Sequence, residues 1–301
     1  MPAGIATMPL QGTRLGVFGK GGAGKSTLTV LLAHALRDRG YSVCVLDADS
    51  TNVGLSRLFE VRESPGPLMD YFGGTVFRGG AVTCPVDDPT PLDGAQIDLG
   101  SLEPRYFARS PEGIVVLTAG KIGEDGPGAG CDGPVAKIAR DLRLCLRDEP
   151  LVTVVDFKAG FEDTARGVLT GLDAAVMVID PTLASVELAI DMKHMIEQIQ
   201  ADVLPATSHL AQPELVAWAN RLFVEAPIHD LWFVMNRIRD EEEEEYLRRR
   251  LGEAGIEPMG VIHENAAISR SWLKGLPIRS EEARRETRSI VERWERERHE
   301  H

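Results

Sequence analysis

The sequence predicts an α/β fold: a doubly wound, mostly parallel sheet with helices on both faces. Two observations predict it. Short apolar runs suited to buried strands alternate with stretches whose apolar residues recur at helical spacing. At the first strand-to-helix junction, Gly19-Lys20-Gly21-Gly22-Ala23-Gly24-Lys25-Ser26-Thr27 fits G-x-x-x-x-G-K-[ST], the pattern of a loop that wraps phosphate. Ligands in such sheets bind at the carboxyl ends of the strands.

In chain order, Leu15–Phe18 is the first buried strand, and Thr27–Arg37 follows as a helix through Leu28, Leu31, Leu32, Ala35 and Leu36. Gly40 stands where a helix C-terminal glycine belongs. Val43–Leu46 is the second strand and runs into Asp47-Ala48-Asp49-Ser50-Thr51-Asn52. Between about Glu60 and Glu112 the alternation is lost in Pro/Gly-rich sequence, which reads as a loop-rich insertion near the site. Ile114–Leu117 is a strand and Val135–Arg147 a helix; Leu151–Val155 is a strand that runs into Asp156-Phe157-Lys158-Ala159-Gly160. Ala174–Ile179, Leu231–Met235 and Gly260–Ile262 are further strands, separated by helices over Ser185–Ile199 and Glu241–Leu251 and followed by one over Ala266–Lys274. Residues 201–228 form a second irregular insertion with a short helix around Glu214–Leu222. The tail Ser280–His301 is a highly charged helix anchored by Ile290, Val291 and Trp294, a surface helix rather than a membrane-targeting one.

The 301 residues read as one P-loop nucleoside triphosphatase domain, within the usual size of a single core of up to about 300 residues. A net charge of −13 opposes nonspecific attraction to DNA or anionic lipid. No apolar run reaches the about 20 residues of a spanning helix, and Met1–Gln11 lacks the layout of a secretory signal, so a cytoplasmic protein is expected. The cysteines Cys44, Cys84, Cys131 and Cys145 contain no C-x-x-C pair, which points away from a disulfide framework or zinc ribbon. Cys44 within a strand and Cys145 within a helix read as core residues.

Residue types assign roles within the loop. Backbone amides of Gly21 to Lys25 wrap a β-phosphate, Lys25 reaches the β/γ oxygens, and Ser26 supplies a hydroxyl for Mg²⁺. Gly19, Gly22, Ala23, Gly24 and Thr27 complete the nucleotide-binding set. Lys20 points away from its own nucleotide, so its natural target is a phosphate held by a facing subunit, and a nucleotide-bridged homodimer is expected. At the strand ends, Asp49 can hold a Mg²⁺-bound water or orient the attacking one. Asp156 can meet Mg²⁺ through water, and the amide of Gly160 can sense the γ-phosphate. Read singly, each acidic strand end is equally a helix cap.

These residues together resemble the deviant-Walker nucleoside triphosphatases, which include the Min-type and Par-type ATPases, the nitrogenase iron protein and the nickel-insertion ATPase of carbon monoxide dehydrogenase. The nickel-insertion branch is the most similar: Asp47-Ala48-Asp49, the stretch DFKAGFE from Asp156 to Glu162, Ile179-Asp180-Pro181-Thr182 with Ser185 and Glu187, Asn236 in a strand-end Asn-Arg pair, and Gly260–Pro277 match it in order and spacing. The resemblance implies that Lys20 is the cross-subunit lysine, that Asp49 positions the attacking water, and that Asn236 recognises adenine in a base pocket with Ile262 and His263. His263 stands where the family commonly has proline, and Lys158 where it has an acidic or small residue.

In the nickel-insertion branch a segment similar to Gly128-Ala129-Gly130-Cys131-Asp132-Gly133 carries C-x-C, and two copies hold a metal at the dimer interface; here Gly133 replaces the second cysteine. Cys131 is therefore either an interfacial ligand for Ni²⁺ or Zn²⁺, completed by Asp132, water or a client, or a small packed side chain. Cys84 is a candidate to join it. The nitrogenase iron protein has a further cysteine in its second switch, and none occurs between Asp156 and Gly171. The resemblance thus implies an ATP- and Mg²⁺-dependent dimeric switch serving the maturation of a client metalloprotein. A Min/Par-type positioning ATPase on membrane or DNA and an ATP-driven iron–sulfur reductase are the alternatives; neither nucleic-acid nor membrane binding is expected.

Overall fold

A computed structural model describes residues 8–51, 54–76, 79–120, 132–158 and 167–300, with side chains as far as 298. The first half of the chain gives β1 (Arg14–Gly19), α1 (Lys25–Asp38), β2 (Val43–Ala48), the single turns α2 (Leu55–Leu58) and α3 (Leu68–Tyr71), β3 (Gln96–Asp98), β4 (Ala108–Arg109) and β5 (Val115–Thr118). There follow α4 (Gly133–Asp141), β6 (Arg143–Leu146), β7 (Glu149–Pro150), β8 (Val152–Phe157), β9 (Ala174–Ile179) and α5 (Leu183–Gln200). The chain continues through α6 (Pro213–Val224), β10 (Asp230–Ile238), α7 (Glu241–Glu253), β11 (Gly260–His263), α8 (Ala266–Lys274) and α9 (Glu281–Glu300).

Eight strands form one sheet in the order β11-β10-β9-β1-β8-β2-β5-β4, parallel throughout except for the antiparallel edge pair β4/β5. Every residue of β1, β2, β8 and β9 is buried, as expected of parallel strands covered on both faces. One face packs against α4 and α5 through Val135, Ile138, Ala189 and Met192. The other packs against α1 and α9 through Leu28, Leu32, Ile290, Val291 and Trp294. The predicted anchors of the charged tail are thus the residues that dock it. α1 ends as the sequence predicts: Gly40, at φ +96°, closes the helix, with Gly40 N donating to Arg37 O and Tyr41 N to Leu36 O.

One expectation needs correction. The predicted helix Val135–Arg147 stops at Asp141, and Arg143–Leu146 is instead the middle strand of a small sheet in the order β3-β6-β7. Alternation decides it: Leu144 is buried while Arg143 and Cys145 are half-buried, and Arg147 and Asp148, both at positive φ, turn the chain back into β7. Cys145 accordingly lies in a strand, half-buried, rather than in a helical core. The carbonyls at the end of α4 are satisfied from far away in sequence: the Arg14 guanidinium donates to Ala139 O and to Arg140 O, the latter at 2.9 Å, and also to Gly171 O. Residues 60–112 carry only short elements among the described residues, in keeping with a loop-rich stretch, and Leu92, Ile97, Leu99, Leu102 and Tyr106 are buried in the core on the α4 side. Cys44 is fully buried in β2, as predicted.

Candidate functional site

β1 ends at Gly19, between β8 and β9, and the loop that follows feeds the N-terminus of α1. Gly24 caps that helix at φ +99° with no side-chain cap, and the first turn holds no acidic residue, so the orphan N–H groups there form a site for an anion. A Cβ on Gly24 would come within 2.1 Å of Asn236 Nδ2. Gly24→Ala is therefore expected to destabilise the fold by about 1–3 kcal/mol, through the left-handed strain alone, and to displace Asn236. Urea unfolding measures the first effect and loss of nucleotide affinity the second.

Lys25 is 6% exposed, and its Nζ donates to Lys20 O at 3.4 Å. Burial pulls its ammonium down from the ordinary lysine value, opposed by Asp156 and Asp49. Asp156, at the end of β8, sits beside Asp47 of β2 in register and is completely buried. Thr29 Oγ1 donates to Asp156 Oδ1 at 3.4 Å, while Oδ2 has no hydrogen-bond partner among the described residues. Burial pushes the Asp156 carboxyl up to about 7, with hydrogen bonding to Ser26 pulling the other way and Asp47 adding to the rise. An orphaned carboxylate oxygen beside a serine hydroxyl suits a hard, oxygen-seeking cation. Among the described residues no group of three or more His, Cys, Asp or Glu side chains forms a ready-made metal cage. The free carboxylate oxygen beside the Ser26 hydroxyl fits Mg²⁺, which is held by one or two protein oxygens plus substrate phosphates.

Asp49 is turned inward on its own loop: its Oδ1 accepts from Thr51 N at 2.9 Å and from Thr51 Oγ1 at 2.7 Å. Lys20 pairs with Asp180 at 3.2 Å. Asp180 also accepts from the hydroxyls of Thr182 and Ser185, and these bonds with Lys20 hold its carboxyl below the usual range against burial.

Asn236 donates to Ala23 O at 2.7 Å and so supports the loop from the end of β10. Ile262 is its partner in register on β11 and is itself a fully buried core residue. His263 is held by Glu286, with Nδ1 2.7 Å from Oε1, and by Glu244 at 3.6 Å. The Glu286 hydrogen bond raises the His263 pKa above its ordinary value, outweighing desolvation. A raised histidine contributes stability that is complete below the unfolded pKa of about 6.5 and is lost as pH rises through the folded value. His263→Gln is therefore expected to lower the melting temperature more at pH 6 than at pH 9. Thr27 Oγ1 accepts from Trp272 Nε1 at 2.8 Å, which fastens α8 to the start of α1.

Two further contacts bear on the loop and the strand ends: one from Arg237, which is outside the predicted set, and one from Asp132, which the sequence marks only as a candidate metal ligand. A bulge in β10 between Asn236 and Ile238 puts Arg237 at φ +64°, and its Nη1 donates to Gly22 O at 2.9 Å. The Asn-Arg pair marked the place, but a bulge leaves no signature in sequence. Asp132, just before α4, accepts from Ser50, next to Asp49, and from Lys158, past the end of β8. One carboxylate thus ties together the segments that follow both acidic strands. Cys84 packs against α4: a Cβ on Gly133 would lie 2.5 Å from Cys84 Sγ. Cys131 and Gly160 lie outside the described residues.

A family profile described as the CobQ/CobB/MinD/ParA nucleotide binding domain matches residues 17–278, a span that includes the loop, both acidic strand ends and Asn236. The chain belongs to this family. This MinD/ParA-family domain is 32% identical over 189 residues to an ATP-binding protein of Methanocaldococcus jannaschii, a match covering 62% of this chain and 74% of that one. It is 30% identical over 189 residues to the carbon monoxide dehydrogenase accessory protein CooC of Rhodospirillum rubrum, covering 58% of this chain and 66% of that one. The cell division ATPase MinD of Pyrococcus furiosus shares the fold, with a TM-score of 0.58 at 19% identity over 95% of this chain and 99% of that one. No helix among the described residues is long and apolar enough to cross a membrane.

Proposed function

We propose that this MinD/ParA-family domain is an ATPase that dimerises around two ATP molecules and serves the maturation of a metalloenzyme. The observation that carries the ATPase reading is the buried Lys25 at an uncapped helix N-terminus, electrostatically coupled to buried Asp156, whose Oδ2 has no hydrogen-bond partner among the described residues. The amides of Gly21 to Lys25 and the Lys25 ammonium hold the phosphates. Ser26 and Asp156 would hold Mg²⁺, which supplies charge neutralisation on the β- and γ-oxygens. Asp49, released from Thr51, orients the attacking water. Lys20, released from Asp180, reaches the partner's γ-phosphate, where a positive charge acts as an arginine finger does. Asn236 and His263, on neighbouring strands, flank the base pocket, with the Ile262 side chain packed in the core behind it, and the Gly160 amide reports the γ-phosphate.

The maturation reading draws support from the similarity to the carbon monoxide dehydrogenase accessory protein and from the placement of Cys84 beside Gly133, two residues from Cys131. Cys131 and Asp132 from two chains would hold the cargo ion, Ni²⁺ or Zn²⁺, for a client metalloprotein. An anaerobic nickel and zinc titration of the ATP-locked protein tests this reading. About half an ion per chain, lost in Cys131→Ala, is expected of a site shared across a two-fold axis. Stoichiometry unchanged by Cys131→Ala contradicts metal delivery and leaves an ATP-operated protein switch.

A further inference from the structure

A cavity of about 510 Å³ lies between α5, α6, the strap 203–210 and the Pro85–Pro89 stretch, at the opposite end of α4 from Asp132. Ligand pockets commonly span about 300–1,000 Å³, so this one has room for a small molecule. Its walls are hydrocarbon, chiefly Met195, Ile199, Leu204, Leu222 and Phe223. His209 pins the strap across it through a hydrogen-bond contact at 2.9 Å between Nε2 and Val86 O.

Polar side chains, among them Asp87, Gln198 and Thr207, also line it, and one of the polar groups is a buried cation. Arg140 has a side chain only 2% exposed, yet it borders the cavity. Its Nε and Nη2 donate to the Asp141 carboxylate, and Nη2 donates also to Thr90 O; Nη1 makes no hydrogen bond among the described residues. Arg14, Arg140 and Arg143 gather at the end of α4 opposite Asp141 and Asp173, and of the three arginines Arg140 borders the cavity. Nearby Lys137 is matched by Asp88 at 3.3 Å and adds no net charge. Burial, with Arg143 beside it, pulls Arg14 down to about 9, against the opposing pull of Asp173 and Asp141. Paired with Asp141 on one edge, Arg140 keeps the Nη1 donors for a further acceptor, and a carboxylate there would make charge-assisted hydrogen bonds. Exposed Asp87 also lines the cavity and weighs against a multiply charged anion.

We propose that this cavity binds a small amphipathic monocarboxylate, its carboxylate on Arg140 Nη1 and its hydrocarbon body along α5 and α6. The site is independent of the nucleotide loop and goes beyond the function proposed above. Isothermal titration of the full chain with octanoate tests it. One octanoate per chain is expected, with octanol at least about tenfold weaker for lack of the charge-assisted hydrogen bond. Butyrate is expected to be weaker by at least about tenfold for lack of buried methylenes. Arg140→Gln removes the anchor. Because that variant risks the fold, Ala219→Trp fills the cavity from α6 instead and should abolish octanoate binding while ADP binding stays unchanged. Four results overturn the proposal: no saturable octanoate binding, equal affinity for octanol, full octanoate binding by Ala219→Trp, or tighter binding of acetyl-Leu-Phe, which would make the cavity a reader of peptide C-termini.

Discussion

Lys20→Ala is expected to lower ATP turnover on the order of a hundred- to a thousandfold while leaving ADP affinity within about fivefold. The first figure follows from the worth of a positive charge supplied to a transferring phosphoryl group from a second subunit. The second follows from where Lys20 is now: paired with Asp180 at 3.2 Å, one-third exposed, and not engaged with its own loop's phosphate cradle. Losing a pair of that kind costs at most about 1 kcal/mol, so the fold and the cradle should survive. Steady-state hydrolysis and ADP titration on one preparation separate the two effects. Unchanged turnover contradicts the cross-subunit role, whereas equal loss of turnover and ADP binding would make Lys20 part of its own chain's cradle.

Lys25→Ala is expected to weaken both ADP and ATP by at least about a hundredfold, since each hydrogen bond from a charged group to phosphate is worth about 1.5–3 kcal/mol. The loss extends beyond those bonds. Lys25 is the cation that offsets Asp156 and Asp49, and without it these carboxylates face the incoming phosphates unopposed. Near-native affinity in this variant would mean that nucleotide is held elsewhere.

The loop, the parallel sheet and the docking of α9 were legible because each rests on local pattern: a spaced glycine–lysine motif, runs of apolar residues, and Ile290, Val291 and Trp294 at helical spacing. The end of α4 was not. Residues 135–147 have an apolar content compatible with a helix throughout, and what stops it is partly Arg14, more than a hundred residues away, taking over the carbonyls of Ala139 and Arg140. Arg237 was missed for a related reason, since its aim toward Gly22 depends on a bulge set by pairing with β11. Asp132 as the junction of Ser50 and Lys158, and Cys84 against Gly133, are likewise tertiary facts that no spacing rule encodes. Lys158, unusual in sequence, acquires a physical reason once its partner is known.

The central claim is that catalysis requires two chains around nucleotide, and subunit mixing tests it most directly. Lys20→Ala retains its own Asp49, and Asp49→Ala retains Lys20, so a mixed dimer contains one complete site. Equal mixing of the two inactive variants is expected to restore about a quarter of wild-type turnover per chain, since half the dimers are mixed and each mixed dimer has one competent site. Turnover no greater than the sum of the two variants measured alone contradicts the account.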